Sequence, residues 1–159
     1  MSFVVRDALP KDIPHILDCI RELAEFEKEP EAVSITENTL LHYGFGTHPL
    51  YHCFVAEEGQ EILGIALVYF RFSTWKGKTV HLEDLIVRQS QRGKGIGSAL
   101  YRRVMEYALA EGVGRVEWAV LDWNQPAIDF YQKTGAVVLD DWRTVQMSKE
   151  QLQTYVDKK

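Results

Sequence analysis

Apolar residues spaced three or four positions apart predict helices in several stretches of the chain. Pro10 is a typical first helical residue, and an apolar face follows it from Ile13 to Ala24. Thr36 stands where the N-cap of a second short helix is expected. The other predicted helices cover residues 96–108, 126–133 and 148–156.

Runs of β-branched and aromatic residues predict strands between these helices. Glu58-Gly59 separates two of the runs and predicts a hairpin. The predicted strands cover residues 3–6, 51–57, 62–70, 80–87, 115–121 and 145–147. This order of helices and strands predicts a single mixed α/β domain that spans residues 1–159.

Composition narrows the class of partner without naming one. The 159 residues are 46% hydrophobic and 26% charged, which is typical of one globular domain. The net charge of −5 argues against a nucleic-acid partner and is compatible with a cationic substrate. No apolar run is long enough to span a membrane, and the N-terminal residues lack a signal-peptide pattern. We therefore expect a cytoplasmic protein with no membrane partner.

Neither the cysteines nor the histidines have the spacing of a metal site. Cys19 and Cys53 lie far apart and form no CxxC unit, so we interpret them as small core residues. His48 and His52 have helical spacing, but Pro49 between them indicates a turn before a strand. We expect no metal.

The segment Arg92-Gly93-Lys94-Gly95-Ile96-Gly97 carries the strongest chemical signal. It separates the strand that ends at Val87 from a helix, so its bare N–H groups and the helix dipole favour an anion. A dinucleotide-binding fingerprint has an acidic residue about 20 positions on, where this chain has Gly114 or Arg115. The nucleoside-triphosphate loop pattern is absent too. The segment is either a phosphate site of another kind or a glycine-rich turn before a surface helix.

The pattern R-x-x-G-x-G after a strand resembles the pyrophosphate loop of the Gcn5-related N-acetyltransferases (GNAT). The segment from Asn124 to Tyr131 is similar to that family's Asn-x-x-(Ala/Ser)-x-x-Phe-Tyr motif. The resemblance implies acetyl-CoA as co-substrate and a mixed, mostly antiparallel twisted sheet flanked by helices, with a splayed strand pair that holds the coenzyme. The implied coenzyme contacts are Leu85, Ile86, Val87, Arg92, Gly93, Lys94, Gly95, Ile96, Gly97, Ser98, Asn124, Pro126, Ala127 and Tyr131.

Acyl transfer to an amine needs a base for the ammonium and an acid for the departing thiolate. The motif favours Tyr131 as the acid, because a phenol with a pKa of about 10 is a proton donor at neutral pH. The alternative is a tyrosine that only packs near a helix end. Glu83 and Asp84 are adjacent, and strand alternation predicts that at most one points into the site. The resemblance favours Glu83 as the base over a plain surface charge.

Longer stretches resemble one branch of the family, the diamine acetyltransferases that act on spermidine, spermine or thialysine. They are Gly44–Glu57, Leu82-Glu83-Asp84, Trp75-x-Gly77-Lys78 and Trp123-Asn124-x-Pro126. This resemblance implies a homodimer and a small cationic amine as acceptor, to which the acidic stretch 18–31 is suited. The implied acceptor contacts are Phe26, Glu27, Glu83, Glu117, Trp118 and Ala119.

Two departures leave the acceptor open among polyamines, thialysine, lysine analogues and small diamines. Phe26 stands where polyamine enzymes commonly carry a tyrosine, and Thr134 replaces a basic residue near the coenzyme phosphate. Acetylation of protein N-termini or lysines is the alternative enzyme activity. A non-catalytic acyl-CoA-binding module is the alternative from another class.

Overall fold

A computed structural model describes residues 2–158 of the chain. The chain forms two compact units, Met1–Ala119 and Val120–Lys159. The single domain expected over residues 1–159 stays a prediction. No helix among residues 2–158 is long and apolar enough to cross a membrane.

The first unit is built on a five-stranded sheet whose strands follow one another in chain order. The strands are β1 (Val4–Asp7), β2 (His52–Glu58), β3 (Glu61–Ser73), β4 (Gly77–Val87) and β5 (Val116–Glu117). The first four strands pair antiparallel, and β5 lies parallel to β4. The sheet is therefore mixed and mostly antiparallel, as expected.

Helices cover both faces of this sheet. On one face lie α1 (Ile13–Phe26) and α2 (Glu37–Phe45), and on the other lies α3 (Ile96–Ala110). Thr36 caps α2 as predicted, since its hydroxyl accepts a hydrogen bond from the Thr39 N–H. Pro10 opens a short 3-10 turn that ends at Asp12, so α1 begins three residues later than the proline predicts.

Each face buries its own hydrophobic cluster. The α1-side core includes Ile13, Ile16, Leu17, Cys19, Leu40, Cys53, Val55, Ile65, Leu67 and Ile86. The α3-side core includes Phe54, Ala56, Ala66, Val68, Val80, Leu82, Ile96, Leu100, Val104 and Ala108. A fully buried Val, Leu or Ile side chain contributes roughly 1.5–3 kcal/mol, so these clusters fix the position of the sheet against its helices.

The last strand of this sheet is much shorter than the predicted 115–121. Only Val116 and Glu117 pair with β4, opposite Val80 and His81. Residues 118 and 119 form no ladder with β4, which runs on to Val87. The β-rich composition of the run therefore overstates the length of β5, because pairing ends where the two strands separate.

The second unit contains two helices, α4 (Gln125–Lys133) and α5 (Lys149–Asp157). Both begin with a capping side chain, Asn124 for α4 and Ser148 for α5. The predicted strand at 145–147 is wrong: within the described part of this unit those residues join no ladder, and the Val145 side chain is 92% exposed. With no buried face within its unit, this short segment has nothing there to hold it as a strand.

Candidate active site

The free edge of β4 is the backbone feature on which the site is built. Hydrogen bonds from the N–H groups of Val80 and Gly114 join the start of β4 to the segment that leads into β5. Beyond His81, no described residue of the first unit pairs with the β5-side edge of β4. The strands separate here, so the backbone groups of residues 85–87 that bond neither to β3 nor, at the Val87 carbonyl, to Arg92 are available to an extended ligand.

The side chains on this part of β4 serve as packing. Leu85 and Val87 contact the α3-side core, and Ile86 is buried in the α1-side core. Any interaction of this part of β4 with a coenzyme would therefore use the backbone.

The loop that follows β4, residues 92–98, is here called the coenzyme loop. Gly93 and Gly95 have φ values of 79° and 80°, which only glycine adopts without strain. Gly95 is the N-cap of α3, so the first turn, with Gly97 and Ser98, presents unpaired N–H groups at the positive end of the helix. This arrangement fits a pyrophosphate, because glycine removes the Cβ atoms that would crowd the N–H groups.

The charged side chains of the coenzyme loop are held by neighbours. The Arg92 Nε donates to the Val87 carbonyl at 3.2 Å, and its guanidinium lies over the Phe26 ring at 5.2 Å. The Lys94 Nζ donates to Gln91 at 2.7 Å. Glu22, from the acidic stretch of α1, accepts from the Gln89 N–H at 2.6 Å and so steadies the approach to the loop.

The geometry corrects one expectation about Glu83 and Asp84. The β3–β4 register shifts at this point, because Leu67 pairs with Asp84 while Val68 pairs with Leu82. Glu83 is thus the extra residue of a β-bulge, which interrupts strand alternation. As a result Leu82 and Leu85 pack on the same α3-side core, and both carboxylates face the α1 side.

Glu27, at the end of α1, joins these two residues, and we call Glu27, Glu83 and Asp84 the acidic cluster. Burial, together with the charges of Glu83 and Glu27, raises the pKa of Asp84 to about 7. Burial and the charge of Glu83 also raise the pKa of Glu27. Crowded carboxylates of this kind attract a cation and can accept a proton near neutral pH.

Glu83 itself is stabilised as an anion by its neighbours on the sheet. The His81 Nε2 lies 3.4 Å from Glu83 and is the main cause that lowers the pKa of this carboxyl. The Tyr69 hydroxyl also donates to Glu83, at 3.1 Å. The Arg71 Nη1 lies 3.2 Å from the His81 Nδ1 and can only donate, which assigns the His81 proton to Nε2.

Glu117 lies beside the contacts that join Arg71, His81 and Glu83, and it forms ion pairs with two arginines. Its Oε1 lies 2.7 Å from the Arg71 Nη1, and its Oε2 lies 3.4 Å from the Arg115 Nε. Trp118 packs its ring edge-to-face against Tyr101, with centroids 5.7 Å apart, and Ala119 is exposed. Of the implied acceptor contacts, the structure therefore groups Glu27 with Glu83, and it places Glu117 in a separate ion pair.

The remaining predicted site residues belong to the second unit. The Asn124 Oδ1 accepts from the Ala127 N–H at 3.4 Å, which is the N-cap of α4, and Pro126 occupies the first turn. Tyr131 lies on the same helix, and its ring contacts Phe130. The coenzyme and acid roles of these residues rest on the motif and stay predictions.

Cys19, Cys53 and His52 lie outside the acidic cluster and make structural contacts. Cys19 and Cys53 are buried in the α1-side core, and burial raises the pKa of Cys19 to about 11. His52 pairs with Asp7 at 2.7 Å and stacks on Tyr107. Residues 2–158 contain no group of three His, Cys, Asp or Glu side chains placed to hold a metal ion.

Sequence reasoning missed four contributors to the site, Tyr69, Arg71, His81 and Arg115, and it set Asp84 aside in favour of Glu83. His81 carried a signal, because it lies two residues before Glu83 on a strand and so shares its face. Arg71 and Tyr69 reach the site only through the β3–β4 register, which no local pattern reveals.

The comparisons with known proteins agree with this geometry. The model of the acetyltransferase (GNAT) family matches residues 16–136. A thialysine N-epsilon-acetyltransferase of Bos taurus is 46% identical over 145 residues, which are 86% of this chain and 85% of the relative. A spermidine/spermine N(1)-acetyltransferase-like protein 1 of Homo sapiens is 34% identical, over 94% of this chain and 23% of the relative.

A solved structure extends the agreement to the fold. An integron cassette protein of V. cholerae superimposes with a TM-score of 0.80 at 23% identity and covers 99% of both chains. The predicted family, its α/β fold and its acetyl-CoA-dependent N-acetyltransferase activity are confirmed. The chain belongs to the acetyltransferase (GNAT) family, in the branch of the diamine and thialysine N-acetyltransferases.

Proposed function

We propose that this protein transfers the acetyl group of acetyl-CoA to a primary amine on a small cationic acceptor, by direct attack in a ternary complex. The observation that carries the proposal is the acidic cluster, which adjoins the free edge of β4 and the coenzyme loop that follows it. Names of relatives support a small amine acceptor, since they include thialysine and spermidine/spermine acetyltransferases.

Backbone groups hold the donor. Acetyl-CoA, when bound, supplies an acetyl group on an activated thioester. The N–H groups of the coenzyme loop would hold its pyrophosphate, and the free edge of β4 at residues 85–87 would hold its extended arm. An N–H on that edge is also suited to stabilise negative charge on the thioester oxygen.

The acidic cluster prepares the acceptor. A lysine-like ammonium has a pKa above 10 and must lose a proton before its nitrogen can attack. Glu83, kept ionised by His81 and Tyr69, attracts the ammonium. Glu83 takes the proton directly or through water, and Asp84, with a pKa of about 7, is placed to share that role. Tyr131 supplies a proton to the departing thiolate.

The chain functions as a homodimer in the cytoplasm. Membership in the diamine acetyltransferase branch supports the dimer, and the lack of a spanning helix among the described residues is compatible with the location.

A thiol-release assay tests the reaction. Purified full-length protein is given acetyl-CoA with spermidine, putrescine, thialysine, lysine and a peptide panel in turn. We expect acceptor-dependent thiol release with at least one small amine and little with peptides. Release with peptides alone would replace the small-amine proposal with a protein acetyltransferase, and no release with any acceptor would favour a non-catalytic module.

A further inference from the structure

Glu83 lies at the end of a row of polar side chains that crosses three strands. We call this row, together with the acidic cluster, the acceptor face. The other members of the row are Tyr69 and Arg71 on β3, His81 on β4 and Glu117 on β5. The register pairs His81 with Tyr69 on one side and with Glu117 on the other, so the row crosses the sheet at the level of His81.

His81 is the middle member of the row, and each of its ring nitrogens faces a charged group. Its Nε2 lies 3.4 Å from the Glu83 Oε2, and its Nδ1 lies 3.2 Å from the Arg71 Nη1. The side chain is only 15% exposed, and its ring centroid lies 5.1 Å from that of Tyr69, so neighbours restrict its rotation. Because a guanidinium can only donate, Nδ1 must accept, and the proton lies on Nε2, on the side of Glu83.

Arg71 is in turn held in place by Glu117. The Glu117 Oε1 lies 2.7 Å from the same Arg71 Nη1 that contacts His81. The other carboxylate oxygen, Oε2, lies 3.4 Å from the Arg115 Nε. A carboxylate placed between two guanidinium groups limits the positions that Arg71 can adopt, although the Arg71 side chain is half exposed.

From this arrangement we propose that Arg71 and His81 are positioning residues for Glu83. Glu117 acts through Arg71 and does not contact the acceptor. The inference rests on the proposed function, in which Glu83 receives the acceptor ammonium. The Nε2–H of His81 and the hydroxyl of Tyr69 both lie against the Glu83 Oε2, so among the described residues Oε1 is left for the acceptor.

The tautomer of His81 is what Arg71 controls. Without a donor at Nδ1, the ring proton can move to that nitrogen. The lone pair of Nε2 would then face the carboxylate oxygen of Glu83 and repel it. Arg71 therefore acts on Glu83 through the imidazole, at one side chain's remove from the acceptor.

The charge of Glu83 agrees with this arrangement. Its pKa lies below the ordinary value of a glutamate, although burial opposes the shift. His81 is the first cause of the lowered pKa, and Tyr69 and Arg71 contribute to it. The other two members of the acidic cluster have raised pKa values. Glu83 differs from them in being the member that contacts the row.

NMR of the imidazole nitrogens tests the control of the tautomer. The spectrum is recorded on the full-length protein at pH 8, and the signals absent from His81→Phe identify the ring. We expect the wild type to carry its proton on Nε2 alone. Arg71→Met, which removes the donors and keeps most of the length, should give a mixture of the two tautomers. Arg71→Lys, which keeps a donor, should restore part of the wild-type form.

Double-mutant cycles test whether the row acts in this order. The acceptor is the small amine that the wild type uses in the thiol-release assay. Arg71→Met should lower kcat/KM about two- to tenfold, the range expected for one hydrogen bond. In a His81→Phe background the same substitution should have no further effect. Glu117→Gln should likewise have no further effect in an Arg71→Met background.

Controls separate this role from folding and from the reaction itself. Arg102→Gln changes an exposed arginine on α3 that pairs with Glu106, and it should leave kcat/KM unchanged. The Tm and the Kd for acetyl-CoA report whether each variant is folded. An unchanged tautomer in folded Arg71→Met, or additive effects of Arg71→Met and His81→Phe, overturns the inference while the acetyl transfer stands.

Two further outcomes are distinct from these. A further loss of kcat/KM from Glu117→Gln in the Arg71→Met background overturns the role given to Glu117 and favours a direct contact with the acceptor. A wild type that turns over none of the small amines overturns the proposed function itself, and the positioning role is then lost with it.

Discussion

The coenzyme loop and the acceptor face adjoin the same strand but are built by different means. The loop depends on backbone: left-handed glycines, a helix N-terminus and the free edge of β4. The acceptor face depends on side chains that a β-bulge and the β3–β4 register bring together. Most side-chain substitutions in the coenzyme loop should therefore leave coenzyme binding unchanged. Single substitutions on the acceptor face, by contrast, can change which amine is accepted.

The largest expected effect on activity comes from Tyr131, a side chain that belongs neither to the coenzyme loop nor to the acceptor face. Tyr131→Phe removes the hydroxyl that is the proposed proton donor to the thiolate. We expect kcat to fall by roughly 10²-fold or more, the usual range for loss of general acid catalysis, with little change in the Kd for acetyl-CoA. Steady-state kinetics and calorimetry measure the two quantities separately.

The neighbouring Phe130 offers a matched control for Tyr131. Phe130→Leu perturbs the same helix and the ring contact between the two residues without touching the phenol. It should affect Tm more than kcat. Unchanged turnover in Tyr131→Phe would show that this residue is not the acid. The proposed coenzyme contacts would then involve backbone groups without a catalytic side chain.

Gly95→Val should weaken coenzyme binding by about tenfold or more. A β-branched residue at φ 80° is strained, and its side chain would also crowd the N–H groups at the start of α3. Gly112→Val is the control, because Gly112 also has a positive φ, 65°, with open space for a Cβ. Both variants should lose stability, and equal acetyl-CoA affinity in the two would show that the loop is only a turn.

The same contrast explains how much the sequence predicts. The coenzyme loop is local: Gly93, Gly95 and the helix that begins at Ile96 can all be found in one stretch of sequence. The acceptor face is not local, since Arg71 meets His81 only through a pairing between two strands.

The bulge is the clearest case of what sequence reasoning cannot supply. Glu83 and Asp84 are expected on opposite faces by alternation, and one extra residue in β4 puts them on the same face. The sequence also does not reveal where a strand ends. β5 ends at Glu117 because β4 separates from it there, although the β-rich sequence pattern continues.

Glu83→Gln should raise the amine KM several-fold. The neutral amide loses the attraction for an ammonium, which is worth on the order of 1 kcal/mol in a partly exposed site. Glu58→Gln, at the exposed last residue of β2, is the control and should leave KM unchanged. If neither KM nor the pH profile of Glu83→Gln differs from the wild type, Glu83 has no part in the acceptor site.

The pH dependence distinguishes Asp84 from its neighbour. Because the pKa of Asp84 is raised to about 7, the wild-type kcat/KM should rise as the pH increases through 7. Asp84→Asn should lose this rise. A profile measured from pH 5.5 to 9 with saturating acetyl-CoA tests the assignment, and an identical acid limb in the variant would contradict it.

The last expected effect is on stability and has an unusual sign. Asp84 has a pKa of about 7 when folded against 3.8 for an unperturbed aspartate, so the folded protein binds the extra proton between those values. The contribution of Asp84 to wild-type stability therefore falls as the pH rises from about 4 to 7, by at most roughly 4 kcal/mol. Asp84→Asn should therefore be more stable than the wild type at pH 8, by about 1–3 kcal/mol, and no more stable at pH 4.

Asp18→Asn, on the exposed side of α1, should lie within about 0.5 kcal/mol of the wild type at both pH values. Urea unfolding at the two pH values measures these differences. A variant that gains nothing at pH 8 would mean that water reaches the acidic cluster freely, and the acceptor face would then recognise amines by charge alone.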